Sequence, residues 1–336
     1  MTNKTRIGII GAGGVAREYH LPVLCNMPEV EIVWIFDVDP ERAERLRQAF
    51  ARGANVVPNL AAAADVDVVL VAIPVGYREP VLKEVFSRGW DALCEKPFAR
   101  NVAEHDRFVG LASAKGRKIG VGLMRRFYRS VNIARDVIRS GALGEPMEIL
   151  ASQGTRMNRT GRDEWYQGSA RAAGGGVLIE TGSHLIDQIL MIMGAAAFDL
   201  RACEQSRYAG LDVATSASGT LTLEGGAVVA FSVTLSSVDT LYGGIVVRFK
   251  TAELRIGVLP DSPVTLCDAT GREICALTGS GATFAHQAFY LEWQDFLRAC
   301  RDNASASLTD AAGARLSTEF IEQCYAASRS AEEGLA

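Results

Sequence analysis

The sequence predicts an α/β protein in two parts: a doubly wound parallel sheet over residues 1–122, then an α+β domain with a mainly antiparallel sheet over residues 123–336. Three observations predict it. At 336 residues the chain exceeds the roughly 100–200 residues of a usual domain, so two cores are expected. As far as Gly122, short β-branched runs alternate with amphipathic helical stretches, the pattern of parallel strands joined by crossover helices. Past that point longer alternating strands take over.

Strands are expected at 6–10, 31–36, 68–73, 92–94 and 118–121, with helices between them at 15–26, 40–51, 78–88 and 102–115. Right-handed crossovers wind such units into an open sheet whose ligands sit beyond the carboxyl ends of the strands. Functional residues are therefore sought just after each strand. One more helix at 131–139 and the turn Gly141-Ala142-Leu143-Gly144-Glu145-Pro146 lead into strands at 219–223, 227–235, 244–250 and 252–256, read as antiparallel. Closing helices at 284–302 and 310–329 follow Thr283 and Thr309, residues suited to capping, and are assigned to the second domain.

Composition removes several classes of function. Lys plus Arg total 35 against 39 Asp plus Glu, a net charge of −4, so there is no basic field for nucleic acid or anionic lipid. The apolar stretch 189–198 is about half the ~20 residues that span a bilayer, so no membrane association is expected. Lys4 and Arg6 before an apolar run copy the start of a secretory signal, but the run passes into Arg17-Glu18 rather than a cleavage site. Seven scattered cysteines without a C-x-x-C pair, an odd number, point to a reducing cytoplasm. Thirty-three glycines, about a tenth of the chain, exceed the average of roughly 7% and cluster at two places.

The first cluster is Gly11-Ala12-Gly13-Gly14-Val15-Ala16, a G-x-G-x-x-A turn between the first strand and a helix, with Asp37 at the end of the second strand 21 residues beyond Ala16. Gly11 permits the tight turn, and Gly13 lets backbone N–H groups approach a pyrophosphate at the helix N-terminus. Asp37 suits the ribose hydroxyls of NAD and repels the 2′-phosphate of NADP, while Asp39, before Pro40, suits a helix cap. Gly11, Gly13, Gly14, Val15, Ala16 and Asp37, with Ile73 and Pro74 after the third predicted strand, form the expected cofactor site. The competing reading is a glycine turn without a ligand.

Glu95-Lys96-Pro97 follows the strand ending at Cys94 and so lies at the same sheet edge. There, Glu95 and Lys96 border the cofactor, and the Lys96 ammonium can donate to a substrate hydroxyl and lower its pKa. The alternative is a surface lysine, in a chain with only six. The second glycine cluster, Gly174-Gly175-Gly176, opens a helical segment that sets Glu180, His184 and Asp187 at i, i+4 and i+7 on one face. A histidine there titrates near neutrality and can take an alcohol proton, although a satisfied core histidine fits the same pattern. Glu180 and His184 could share an ion, but no further His or Cys cluster stands nearby and no metal is expected.

Together, the Gly11 turn, Glu95-Lys96-Pro97, Arg126-Phe127 and the 174–187 segment resemble the glucose–fructose oxidoreductase, inositol dehydrogenase and rhizopine-catabolism (Gfo/Idh/MocA) oxidoreductases, over nearly the whole chain. The resemblance implies an N-terminal Rossmann domain and a C-terminal domain whose large open sheet packs subunits into homodimers or homotetramers. It implies NAD(P)-linked chemistry at a secondary alcohol or ketone of a sugar, sugar acid or cyclitol. It gives Lys96 the hydroxyl-binding and proton-relay role, His184 the catalytic acid/base role, and Glu180 and Arg126 substrate contacts. The chain departs from the family at three places: Glu180 replaces an Asp, Arg78 replaces a histidine four residues after Pro74, and Met124 replaces an Asn.

Between Leu123 and Arg171 nine arginines and no lysines face five acids, a basic segment in an acidic chain. Arginine forks recognise carboxylates and phosphates, so Arg156, Arg159 or Arg162 is expected to meet an anionic group on the substrate, with Trp165 and Tyr166 offering an apolar face to a sugar ring. A solvated loop or a subunit contact is the alternative. The leading expectation is a sugar or cyclitol dehydrogenase. An NAD-retaining glycosidase working by transient oxidation and elimination, and a nucleotide-binding sensor without turnover, are the alternatives.

Overall fold

The computed structural model describes residues 4–156, 175–207, 213–236, 242–302 and 307–333. The chain divides into two compact units: one of Met1–Ala99, Ala103–Met124 and Ala285–Gly313, the other of Arg100–Val102, Arg125–Phe284 and Ala314–Ala336.

In the first unit, six parallel strands stand in the order β3-β2-β1-β4-β5-β6: β1 (Thr5–Ile10), β2 (Val30–Phe36), β3 (Asn55–Val56), β4 (Val68–Val71), β5 (Asp91–Glu95) and β6 (Ile119–Gly122). This is the doubly wound order, with the switch between β1 and β4, where the carboxyl edge opens toward a ligand. β1 and β4 are buried almost throughout, as strands covered on both faces must be. The two-residue β3 is too short to leave a period-2 signal and was not expected. A π-helical turn, Ala16–His20, and α1 (Leu21–Leu24) follow the glycine turn. α2 (Pro40–Phe50), α3 (Arg78–Ser87) and α4 (Val102–Ser113) make the other crossovers. Asp39 caps α2, its carboxylate accepting the N–H groups of Glu41 and Arg42 at 3.0 and 3.1 Å, and Pro40 occupies the first turn.

The second unit holds eight strands in the order β14-β13-β12-β11-β7-β10-β9-β8. They are β7 (Glu148–Arg156), β8 (Phe198–Ser206), β9 (Ser216–Leu223), β10 (Val228–Ser236), β11 (Tyr242–Arg248), β12 (Ala252–Gly257), β13 (Val264–Asp268) and β14 (Glu273–Leu277). The sheet is mostly antiparallel, as expected, but its central pair β7–β10 runs parallel from Val228↔Glu148 to Ser236↔Arg156. Strands β7, β8, β13 and β14 were not expected: β7 carries Ser, Gln and Gly in its middle, and the side chains of β14 are largely exposed. α5 (Arg129–Arg139) packs on α6 (Ser183–Met193), which is buried on nearly every side and ends at Gly194 in the left-handed conformation. α8 (Arg315–Glu333) lies on β8, with the Phe320 ring 5.2 Å from those of Phe198 and Phe231.

The closing helices part company, which corrects the expected boundary. α7 (Ala285–Asp302) belongs to the first unit. Its stripe Phe289, Trp293, Phe296 and Leu297 recurs at helical spacing and is buried with Ile7, Ile9, Leu21, Leu24 and Leu93. β6 has Gly120 opposite this stripe, where a methyl group would meet the Phe296 ring at 2.8 Å. Thr309 caps no helix either: its N–H and hydroxyl donate to Asp295 of α7 at 3.1 and 3.3 Å, and α8 starts only at Arg315. Because Phe296 is fully buried, Phe296→Ala is expected to lower the unfolding free energy by about 3–5 kcal/mol, read as a fall in the urea midpoint.

Candidate functional site

The carboxyl edge of the six-stranded sheet gathers three loops: Gly11–Gly14 after β1, Ile73–Pro74 beyond β4, and Lys96–Pro97 after β5. Gly11 has φ +99°, and a Cβ there would overlap the Ala72 carbonyl, so only glycine fits this approach of β1 to the chain beyond β4. Its N–H donates to Phe36 O at 2.8 Å, anchoring the turn to the end of β2. A Cβ on Gly13 would meet nothing within 4 Å. The Gly13-Gly14-Val15-Ala16 stretch thus opens a helix whose leading N–H groups have no intrahelical partner, with open space in front, and this cradle fits a pyrophosphate.

Asp37 is already engaged by backbone. Its Oδ2 accepts the Ala12 N–H at 2.7 Å and its Oδ1 the Asp39 N–H at 2.9 Å. A carboxylate offers roughly four acceptor sites, so two hydroxyls can still be accepted. Next to it Val38 is 90% exposed, the most open large apolar side chain among the described residues.

β4 ends at Val71, two residues earlier than expected, and Pro74 precedes a 3-10 turn, Val75–Tyr77. Arg78 explains how this loop is held. Its guanidinium, fully buried, donates to Ile73 O at 2.8 Å, Pro97 O at 2.6 Å and Phe98 O at 2.9 Å, clamping the loops beyond β4 and β5 together. Burial holds its pKa below the ordinary arginine value. Arg78, one of the three departures from the family pattern the sequence resembles, is thus a structural tie.

Lys96 is half-buried and joined to Pro97 by a cis peptide bond. Glu95 differs from expectation, since its carboxylate is turned inward and 7% exposed. One oxygen meets His20 Nε2 at 2.9 Å and the other accepts the Lys96 N–H at 3.0 Å. His20 Nδ1 in turn accepts the Trp293 indole N–H at 2.9 Å. Neither His20 nor Trp293 was singled out from the sequence, although a histidine on the helix opened by the glycine turn was the available signal. Burial pushes the neighbouring Cys94 thiol up to about 12, so no thiolate stands beside Lys96.

In the second unit, Gly175 has φ +150°, and a Cβ on Gly176 would overlap the Ala214 carbonyl. The Gly176 N–H donates to the Tyr325 hydroxyl at 3.1 Å, and burial pushes that hydroxyl's pKa up to about 12. A π-helical turn, Leu178–Gly182, then feeds α6. Glu180 is half-buried, His184 is 9% exposed and Asp187 is 3% exposed, so the expected face exists but descends from solvent into the core.

Asp187 holds Arg126. Its two oxygens take the Arg126 fork at 2.8 Å (Nε) and 2.6 Å (Nη2), and Oδ1 also accepts the Ser317 hydroxyl at 3.0 Å. Arg126 was expected to bind substrate, but it is buried and these two N–H groups are engaged within the protein. Arg125 beside it donates to Gln153 at 2.7 Å. The Arg156 backbone ends β7, whereas Arg159, Arg162, Trp165, Tyr166 and Gly174 lie outside the described residues, so the structure says nothing of an anion contact there. Among the described residues, no three His, Cys, Asp or Glu side chains gather as metal ligands. No helix among them is long and apolar enough to cross a membrane.

Strand, glycine turn, helix and acid define a dinucleotide-binding domain. Comparison with known proteins agrees. The family described as "Oxidoreductase family, NAD-binding Rossmann fold" matches residues 5–123, and the GFO/IDH/MocA C-terminal domain matches residues 131–254. The chain belongs to the Gfo/Idh/MocA oxidoreductase family. It is 28% identical over 236 residues to a dTDP-3,4-didehydro-2,6-dideoxy-α-D-glucose 3-reductase of Saccharopolyspora spinosa, covering 68% of each chain. It is 34% identical over 146 residues to an inositol 2-dehydrogenase of Acidothermus cellulolyticus, covering 42% of each. In fold it matches a 3-ketoreductase from Actinomadura kijaniata in complex with NADP and TDP-benzene, with a TM-score of 0.82, 18% identity and coverage of 97% of this chain and 98% of that one.

Removing the Asp187 carboxylate strands a buried guanidinium. Asp187→Ala is expected to cost about 3–5 kcal/mol by thermal denaturation, whereas Arg126→Met with Asp187→Leu costs less than that single change, because no charge is left unpaired.

Proposed function

We propose that the protein is an NAD-dependent oxidoreductase that interconverts a secondary alcohol and a ketone on a sugar, sugar acid or cyclitol. The observation that carries this reading is the convergence, at one sheet edge, of the open Gly13 cradle, Asp37 and Lys96. Gly11, Gly13, Gly14, Val15 and Ala16 would hold the pyrophosphate, Asp37 the adenosine ribose, and Ile73 and Pro74 would line the route toward Lys96. Bound there, NAD supplies a hydride acceptor in oxidation and its reduced form a donor in reduction. The Lys96 ammonium donates a hydrogen bond to the substrate oxygen, favouring the alkoxide character that develops as the carbon is oxidised. His184 takes the hydroxyl proton in that direction and returns it in the other. Glu180, at the less buried end of the same face, orients a second hydroxyl. Arg126 is held by Asp187 through Nε and Nη2.

Asp37 supports NAD over NADP, since a 2′-phosphate beside this carboxylate meets like charge. The seven cysteines, all free thiols, suit a reducing cytoplasm, and the family resemblance supports a homodimer or homotetramer.

Two measurements test the proposal. Lys96→Ala and His184→Ala are each expected to lower kcat by roughly 10²–10⁴-fold on whichever sugar, sugar acid or cyclitol reduces NAD, with dinucleotide binding retained. Full activity in either variant overturns its assigned role, and the absence of turnover on every substrate favours a sensor. Asp37→Ser is expected to weaken NAD binding and admit NADP, and an unchanged preference refutes the ribose contact.

A further inference from the structure

The buried chain Trp293–His20–Glu95 ends on the Lys96 backbone, and none of the steps above uses these three residues. Its hydrogen positions follow from chemistry alone. An indole N–H can only donate, so His20 Nδ1, 2.9 Å from it, is an acceptor and bears no proton. The proton of the neutral ring is therefore on Nε2 and is donated to Glu95 Oε1 at 2.9 Å. The other oxygen, Oε2, accepts the Lys96 N–H at 3.0 Å. His20 has no exposed surface, stacks edge-on against Phe289 at 4.8 Å, and closes the π-helical turn Ala16–His20. That turn begins at Ala16, the last residue of the glycine motif. A Cβ on Gly122 of β6 would come within 3.0 Å of Glu95 Oε1, so the carboxylate is also confined sterically.

We propose that His20 is a positioning residue: by donating Nε2–H to Glu95 it sets the carboxylate that holds the Lys96 backbone, linking the helix that opens at the dinucleotide turn to the lysine that polarises the substrate. This rests on the role proposed for Lys96. Trp293 fixes the histidine tautomer, and Glu95 is the part that touches Lys96.

The two nitrogens make the test selective. His20→Gln can place an amide N–H near the Nε2 position and keep the donor to Glu95. His20→Asn places its polar atoms near Nδ1, keeping a partner for Trp293 but losing the donor to Glu95. The apoprotein is labelled with trace acetic anhydride, and the reactivity of Lys96 is read by mass spectrometry against the other five lysines, Lys4, Lys83, Lys115, Lys118 and Lys250. His20→Asn is expected to change the relative reactivity of Lys96 at least about threefold and to lower kcat roughly 10²-fold, with the Kd of NADH moved by less than about threefold. His20→Gln is expected to restore both reactivity and kcat to near the starting values.

Unchanged Lys96 reactivity in a folded His20→Asn protein overturns the proposal, and so does a loss in His20→Gln equal to that in His20→Asn. If His20→Asn fails to fold, Glu95→Gln carries the test with the same expected change and the same overturning result. Lys96→Ala separates this inference from the reading it rests on: full activity there removes the role of Lys96, whereas an inactive Lys96→Ala beside unchanged labelling in His20→Asn removes only the role of His20.

Discussion

A carboxylate buried at the end of a strand must find hydrogen-bond donors or lose several kcal/mol to desolvation. Glu95 stands in that position at the carboxyl end of β5, and its two donors come from the Lys96 N–H and from His20. Satisfying His20 then requires the indole of Trp293, which lies in α7, more than 190 residues further along the chain. One charge thereby ties together the helix after the glycine turn, the end of β5 and a closing helix. The apolar stripe of α7 provides the area that keeps it there, and the indole N–H gives its placement a direction that hydrophobic burial alone lacks.

The second unit meets the same problem with a cation. Arg126 is buried beside α6 and is balanced by Asp187, with the Ser317 hydroxyl adding to the carboxylate. Such a pair contributes little over apolar packing, but once present it strongly resists the loss of either partner. It also sets the roll of α6 about its axis. With Asp187 turned into the core, the residues one and two turns earlier, His184 and Glu180, rise progressively toward solvent. Arg78 makes a third arrangement, a buried guanidinium spread over three backbone carbonyls, and so holds two loops of the sheet edge at a set separation.

Much of the nucleotide turn was legible in the sequence, because its causes are local. A left-handed φ and the close Ala72 carbonyl at Gly11 demand a residue without a side chain, and that appears as a letter. The cap at Asp39, followed by Pro40, is equally local. The internal partners of Glu95 and Arg126 were not legible for one shared reason: a charged residue at a strand end or in a short turn looks the same in sequence whether it faces a ligand or an internal partner. The partners, His20 and Asp187, lie 75 and 61 residues away. The parallel pairing of β7 with β10 was missed on similar grounds, since hydrophobic alternation reports which face is buried and nothing about strand direction.

The sequence by itself determined the doubly wound sheet, the glycine turn with its acid, and the places along the chain where Lys96 and His184 occur, since periodicity, turn chemistry and capping act over a few residues. Only the tertiary structure decided which unit receives α7, which charged side chains are spent internally, and how the central strands of the second sheet are directed. Each of those depends on pairing between residues far apart in the chain, where burial removes water as the competing partner and an internal partner takes its place.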